Sequence, residues 1–216
     1  MPNWVKHKIT ITGNENSLRD LMDRVRTSDS EFDFNGIVPM PKSLDIEEGS
    51  RTDKGESLYR AFLSLIEQGV KADEAKAIVI EGDEDNAKTF ELGRTAVANE
   101  HLYGARSWYD WCCYNWGTKW NACEPYVDYT GGDYCEIDFD TAWSASIPIF
   151  EKMHEIYPDL EIVVKYADED LGNNCGTWID GDLIYPDTDR EAFDMACEIW
   201  GYDDAEEIEE MWESFH

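Results

Sequence analysis

The chain has 216 residues, enough for one large domain or two small ones with a real core. Hydrophobic residues at 42% and aromatics at 13% exclude a disordered polyanion. The 48 acids oppose 18 bases, a formal net charge of −30, and residues 124–216 hold 27 of those acids but only Lys152, Lys165 and Arg190, which excludes phosphate contacts by that half.

Val5–Thr12 alternates, with Val5, His7, Ile9 and Ile11 on one side and Lys6, Lys8, Thr10 and Thr12 on the other, which predicts a strand ended by Gly13. Ser17-Leu18-Arg19-Asp20 reads as a variant capping box, and Leu18, Leu21, Met22 and Val25 form a helical stripe. Phe32 and Phe34 alternate in a short extended piece, and polar residues 42–55 read as a loop. Leu58, Phe62, Leu65 and Ile66 mark a second helix stopped by Gly69, and a third runs from about Asp83 towards His101, weakened by Gly93. An aromatic stretch from Tyr103 to Trp120 follows.

Tyr126–Tyr129 and Tyr134–Phe139 flank Thr130-Gly131-Gly132-Asp133, a hairpin signal. Ile147–Tyr157 is a helix closed by Pro158, with Ile149, Phe150, Met153 and Ile156 on its apolar face. Leu160, Ile162 and Val164 alternate in another strand, Gly172–Gly176 is a turn, and Thr177–Tyr185 forms one or two short strands around Gly181. Thr188-Asp189-Arg190-Glu191 is a capping box that opens a helix stopped by Gly201. Asp203–Phe215 carries Ala205, Ile208, Met211, Trp212 and Phe215 on one stripe and glutamates elsewhere. The order predicts an α+β fold, an antiparallel sheet with helices on one face in a ferredoxin-like arrangement, plus a helical N-terminal part. The expected division is residues 1–105, mixed α/β, and residues 106–216, the acidic ferredoxin-like part, which could also form one continuous globule.

No catalytic motif stands out. His7, His101, His154 and His216 are scattered, and there is no nucleophile elbow or dinucleotide fingerprint. Pairs such as Asp138 and Asp140 are expected by chance among 48 acids. Cys112, Cys113, Cys123, Cys135, Cys175 and Cys197 lack the paired spacing of a zinc site and read as reduced, buried thiols. Asp168-Glu169-Asp170 lacks the register of a calcium loop. The reading is therefore no enzyme, no cofactor and no metal. The start has no apolar signal segment and no run could span a bilayer, so a cytoplasmic protein without a membrane partner is expected.

Two features remain. Trp108, Trp111 and Trp116 are spaced roughly as one helix face, and Lys119 beside Trp120 suits a cation over an indole. This cluster reads first as a core plug and second as a platform for a small ligand or nucleotide. The other feature is the acidic surface of Asp187, Asp189, Glu191, Asp194, Glu198, Asp203, Asp204, Glu206, Glu207, Glu209, Glu210 and Glu213. A helix rises about 1.5 Å per residue, and duplex DNA carries one charge per about 1.7 Å. A rigid carboxylate face can thus imitate a nucleic acid and engage a basic protein, whereas the bland alternative is a solubilising surface.

Asn3-Trp4, Ile37-Val38-Pro39-Met40-Pro41, Trp108-Tyr109-Asp110-Trp111, Asn115-Trp116-Gly117-Thr118-Lys119-Trp120 and Thr141-Ala142-Trp143-Ser144 resemble the YubB ferredoxin-like family of plasmid and phage proteins. The resemblance covers most of the chain. It implies a ferredoxin-like C-terminal part and an origin on a mobile element, and it transfers no catalytic residue. Members often carry a proline-rich segment where this chain has Ser144-Ala145-Ser146-Ile147-Pro148. Together these features predict a non-enzymatic inhibitor of a basic host nucleic-acid-binding or defence protein, of anti-CRISPR or antirestriction type.

Overall fold

The computed structural model describes residues 2–215, apart from the side chain of Phe215; that stripe position and His216 lie outside the described residues. In chain order the elements are β1 (Trp4–Gly13), α1 (Glu15–Val25), α2 (Ser50–Glu67), α3 (Ala72–Ile80), α4 (Glu84–Tyr103), α5 (Trp108–Asn115), β2 (Cys123–Asp128), β3 (Tyr134–Ala142), α6 (Ile147–Ile156), β4 (Leu160–Asp168), β5 (Gly176–Ile179), β6 (Asp182–Ile184), α7 (Asp189–Trp200) and α8 (Ala205–Phe215). They form two compact units, one of Met1–Pro39 with Asn115–His216 and one of Met40–Tyr114.

The first unit is built on one six-stranded sheet in the order β2-β3-β1-β4-β5-β6. Each of its strand pairs is antiparallel. The alternation in β1 is what places it at the centre. Val5, His7, Ile9 and Ile11 are buried on one face, opposite Ile137 and Phe139 of β3 and Ile162, Val164 and Tyr166 of β4. Leu18, Leu21, Met22 and Val25 of α1 and Ile149, Phe150 and Met153 of α6 are likewise buried. A fully buried aliphatic or aromatic side chain contributes roughly 1.5–3 kcal/mol, so this apolar layer dominates the unit.

Three local expectations change. Asn14 caps α1 in place of Ser17; its side-chain oxygen accepts from the N–H of Asn16 at 2.9 Å and of Ser17 at 3.2 Å. Phe32 and Phe34 are not in a strand, since Phe34 opens a short 3-10 turn capped by Asp33. Both rings are fully buried, centred 5.3 and 5.5 Å from Phe139, so core packing rather than ladder pairing decides their backbone. A helix also lies on the second sheet face. There α7 sets Ala196 and Ile199 against Ala167 and Glu198 against Lys165 at 2.8 Å.

The expected division at residue 105 does not follow the contacts. It would part β1 from β3 and β4, its two neighbours in the sheet. The chain instead leaves the first unit after Pro39 and returns at Asn115, so the second unit is an insertion between β1-α1 and β2. A fold whose middle strand comes from the N-terminus cannot be cut into consecutive halves.

The second unit is helical. Residues 50–55, read as loop, belong to α2, and α3 had no forecast. Gly93 does more than weaken α4: a Cβ there would meet the Gly55 carbonyl at 1.9 Å. The two glycines let the backbones of α2 and α4 approach closely. Asp83 caps α4 as its position suggests. Arg106 donates to Asp53 at 2.6 Å, to Glu56 at 3.2 Å and to Glu48. Hydrogen bonds to Glu48 and Asp53 raise its already high pKa and hold it charged.

Candidate functional site

The acidic surface begins with the capping of α7. Thr188 Oγ1 accepts from the Glu191 N–H at 3.2 Å, while the Glu191 carboxylate turns back to accept from the Asp187 N–H at 2.9 Å. Phe193, Ala196, Cys197 and Ile199 bury one side of the helix. At about 100° per residue, Glu191, Asp194 and Glu198 fall within about 60° of one another on the other side.

Asp204 starts α8, accepting from the N–H of Glu206 at 2.9 Å and of Glu207 at 3.2 Å. Ile208, Met211 and Trp212 are partly buried. Trp212 meets Phe193 edge-on at 5.3 Å, which seats α8 on α7. On the same wheel, Glu206, Glu209, Glu210 and Glu213 share an arc of about 100°, with Glu207 about 60° beyond it.

Each of the twelve acids from Asp187 to Glu213 singled out above is exposed. Among the described residues, three of them have a cation partner. Arg190 pairs with Asp194 at 2.8 Å and with Glu209 at 2.9 Å, and Lys165 pairs with Glu198. Asp204 is spent on capping, and Asp189 lines a cleft with Asp170, Leu171, Gly172, Asn173, Phe193 and Trp212. The remaining charges meet solvent.

The aromatic stretch divides. Trp108 and Trp111 lie on α5, in the second unit, while Trp116, Lys119 and Trp120 follow that helix, in the first. The helix ends at Asn115, so Trp116 does not continue the face of Trp108 and Trp111. Trp111 and Trp116 are buried, and the Trp116 indole donates to the Val38 carbonyl at 2.8 Å. These two behave as the core plug. Trp120 and Trp143 are exposed by 39% and 49%, and the buried Lys119 ammonium sits 3.8 and 3.7 Å from their ring centres. Trp143 holds a left-handed backbone, φ 72°, and its carbonyl accepts from Asn174 at 3.1 Å.

Spacing had singled out the first three indoles and passed over Trp4 and Trp143. Trp4 opens β1 with its ring 6.1 Å from Trp120. Only strand order brings residues 4, 120 and 143 to one end of the sheet, although each lies in a segment quoted for the family resemblance.

Among the cysteines, Cys113 is exposed and Cys123 half-buried, so the expectation of uniformly buried thiols is corrected. Burial pushes the Cys112 thiol up to about 12 and raises Cys135 and Cys175 as well. Those thiols stay protonated and unreactive at neutral pH.

Residues 114–213 match the family model of a ferredoxin-like domain in Api92-like protein. The fold is thus ferredoxin-like, α+β and antiparallel. The Api92-like match contains all twelve acids together with Trp116, Lys119 and Trp120, but not β1. A crystal structure of protein api92 from Yersinia pseudotuberculosis is similar at 12% identity, covering 87% of this chain and 99% of that one, with a TM-score of 0.42. No curated protein matches the chain. No helix among the described residues is long and apolar enough to cross a membrane.

Proposed function

We propose that the chain is a non-enzymatic, cytoplasmic protein of the YubB ferredoxin-like kind, encoded on a plasmid or phage. In this reading it imitates a nucleic acid and occupies the basic groove of a host nucleic-acid-binding or defence protein, as an anti-CRISPR or antirestriction factor does. The observation that carries it is the α8 surface. Five exposed glutamates span about 10 Å of helix, where duplex DNA would place about six charges. Only Glu209 among them has an ion-pair partner within the described residues.

The two units support the same assignment. The first carries 33 acids and 9 bases, the second 15 acids and 9 bases, so a net of −24 belongs to the ferredoxin-like unit. Such a field speeds association with a cationic partner and makes it salt-sensitive.

The test compares the wild type with a variant in which Glu206, Glu207, Glu209, Glu210 and Glu213 are all glutamine. Each is immobilised and exposed to host lysate. The wild type is expected to retain a basic nucleic-acid-binding protein that raised salt or added duplex DNA releases, and the variant to lose it. Equal capture by both, or capture indifferent to DNA, would overturn the reading.

A further inference from the structure

The open end of the second sheet face holds a recess of about 170 Å³ lined by Trp4, Cys123, Glu124 and Asp140. Its walls follow from the register. Asp140 pairs with Lys6 on one side and with Cys123 on the other, and Trp4 precedes Lys6 by two residues. Trp4, Asp140 and Cys123 therefore project from one face, the face opposite His7 and Phe139. A regular strand would send Glu124 the other way. Here the ladder shifts between Cys123 and Tyr126, and Glu124 adopts φ 49°. A bulge of this kind re-aims a side chain, and it brings Glu124 to the recess.

The lining is one indole, one thiol and two carboxylates. Asp140 Oδ1 is buried and has no donor among the described residues beyond the Lys6 ammonium. Its nearest cation is Lys6, 3.4 Å away, and that ammonium is also drawn over the Trp200 ring at 4.8 Å. Desolvation raises the Asp140 carboxyl, Lys6 lowers it in part, and Glu124 and Glu169 raise it further. The group is short of positive charge.

The Trp4 backbone is held in place. Its main-chain N–H donates to Glu169 Oε1 at 3.1 Å, and its carbonyl accepts from the Glu169 N–H at 2.8 Å. Trp120, next to Trp4, is braced by Lys119. An indole with two carboxylates beside it, one of them sharing the Lys6 ammonium, suits a planar cation.

We propose that this recess receives an arginine side chain of the basic partner, its guanidinium stacked on Trp4 and forked onto Glu124 and Asp140. The source of the arginine rests on the mimic reading; the recess itself does not. Arginine fits better than lysine because its fixed fork meets two carboxylates and its flat face is weakly hydrated.

The test follows the Trp4 indole N–H by NMR, assigned with Trp4→Phe, during titration with N-acetyl-L-arginine amide. The neutral isostere N-acetyl-L-citrulline amide and N-acetyl-L-lysine amide serve as comparators. Arginine is expected to shift the signal saturably and about tenfold more tightly than citrulline, with lysine between them, and Glu124→Gln to weaken it about tenfold. Glu124 is exposed, so its variant reports even where Asp140→Asn fails to fold. Equal affinity for arginine and citrulline, an unchanged Glu124→Gln titration, or shifts confined to α7 and α8 would overturn the proposal. The five-glutamine α8 variant separates the two ideas. Lost capture with a silent Trp4 leaves the mimic and removes the recess; a responsive Trp4 without any basic protein captured does the reverse.

Discussion

His7 is the residue whose chemistry conflicts most with its place. It is fully buried and stacked on Phe139 at 4.6 Å, and among the described residues its ring nitrogens find only weak backbone partners at Val5 and Phe139. Burial lowers its pKa from 6.5 to about 3. The folded state therefore refuses a proton that the unfolded chain accepts. Stability from this group is full above about 6.5 and is lost as pH falls towards 3, with a slope approaching ~1.4 kcal/mol per pH unit. Urea titrations at pH 7.5 and 5.0 are expected to show this loss, and His7→Phe to reduce it. A slope unchanged in the variant would assign the effect to other groups. The β alternation placed His7 on the apolar face; it could not show how dry that site would be, because its ring neighbours come from β3, β4 and α6.

At the level of elements, the sign of a glycine substitution is the sharpest test. In an exposed helix Gly→Ala stabilises by about 1 kcal/mol. Gly93→Ala on α4 is expected to do the opposite, by about 1–3 kcal/mol, because overpacking against the Gly55 backbone forces α2 and α4 apart. Thermal unfolding of the variant reads this directly, and a raised melting temperature would refute the close approach. Gly93 looked like a flaw in a helix pattern because helical propensity is local and a crossing helix is not. Other elements were plain to read. The hairpin turn, the Thr188 cap and the Gly201 stop are set by residues within four positions of each other. The glutamate face of α8 was equally legible, since the stripe of Ile208, Met211 and Trp212 sets the opposite side by periodicity alone.

For the whole molecule, the governing term is the net charge of −30. Like charges crowded on the first unit repel, and screening falls within about 8–10 Å at ordinary salt. Raising sodium chloride from low concentration to about 0.15 M is expected to stabilise the protein, and the five-glutamine α8 variant to gain less. Differential scanning fluorimetry across that range checks it; a flat response would mean that the acids are too far apart to interact. The insertion of residues 40–114 between α1 and β2 is a property of this scale too.

Sequence by itself determined the α+β class, the alternation of β1, the hairpin, the final two helices and the charge asymmetry, because each depends on neighbours a few residues apart. Tertiary structure alone decided that β1 lies between β3 and β4, that the aromatic stretch is shared between two units, and that Trp4, Glu124 and Asp140 line one recess. The strand order and the recess join Trp4 and β1 to residues more than a hundred positions away through register and a bulge, and no periodicity records either.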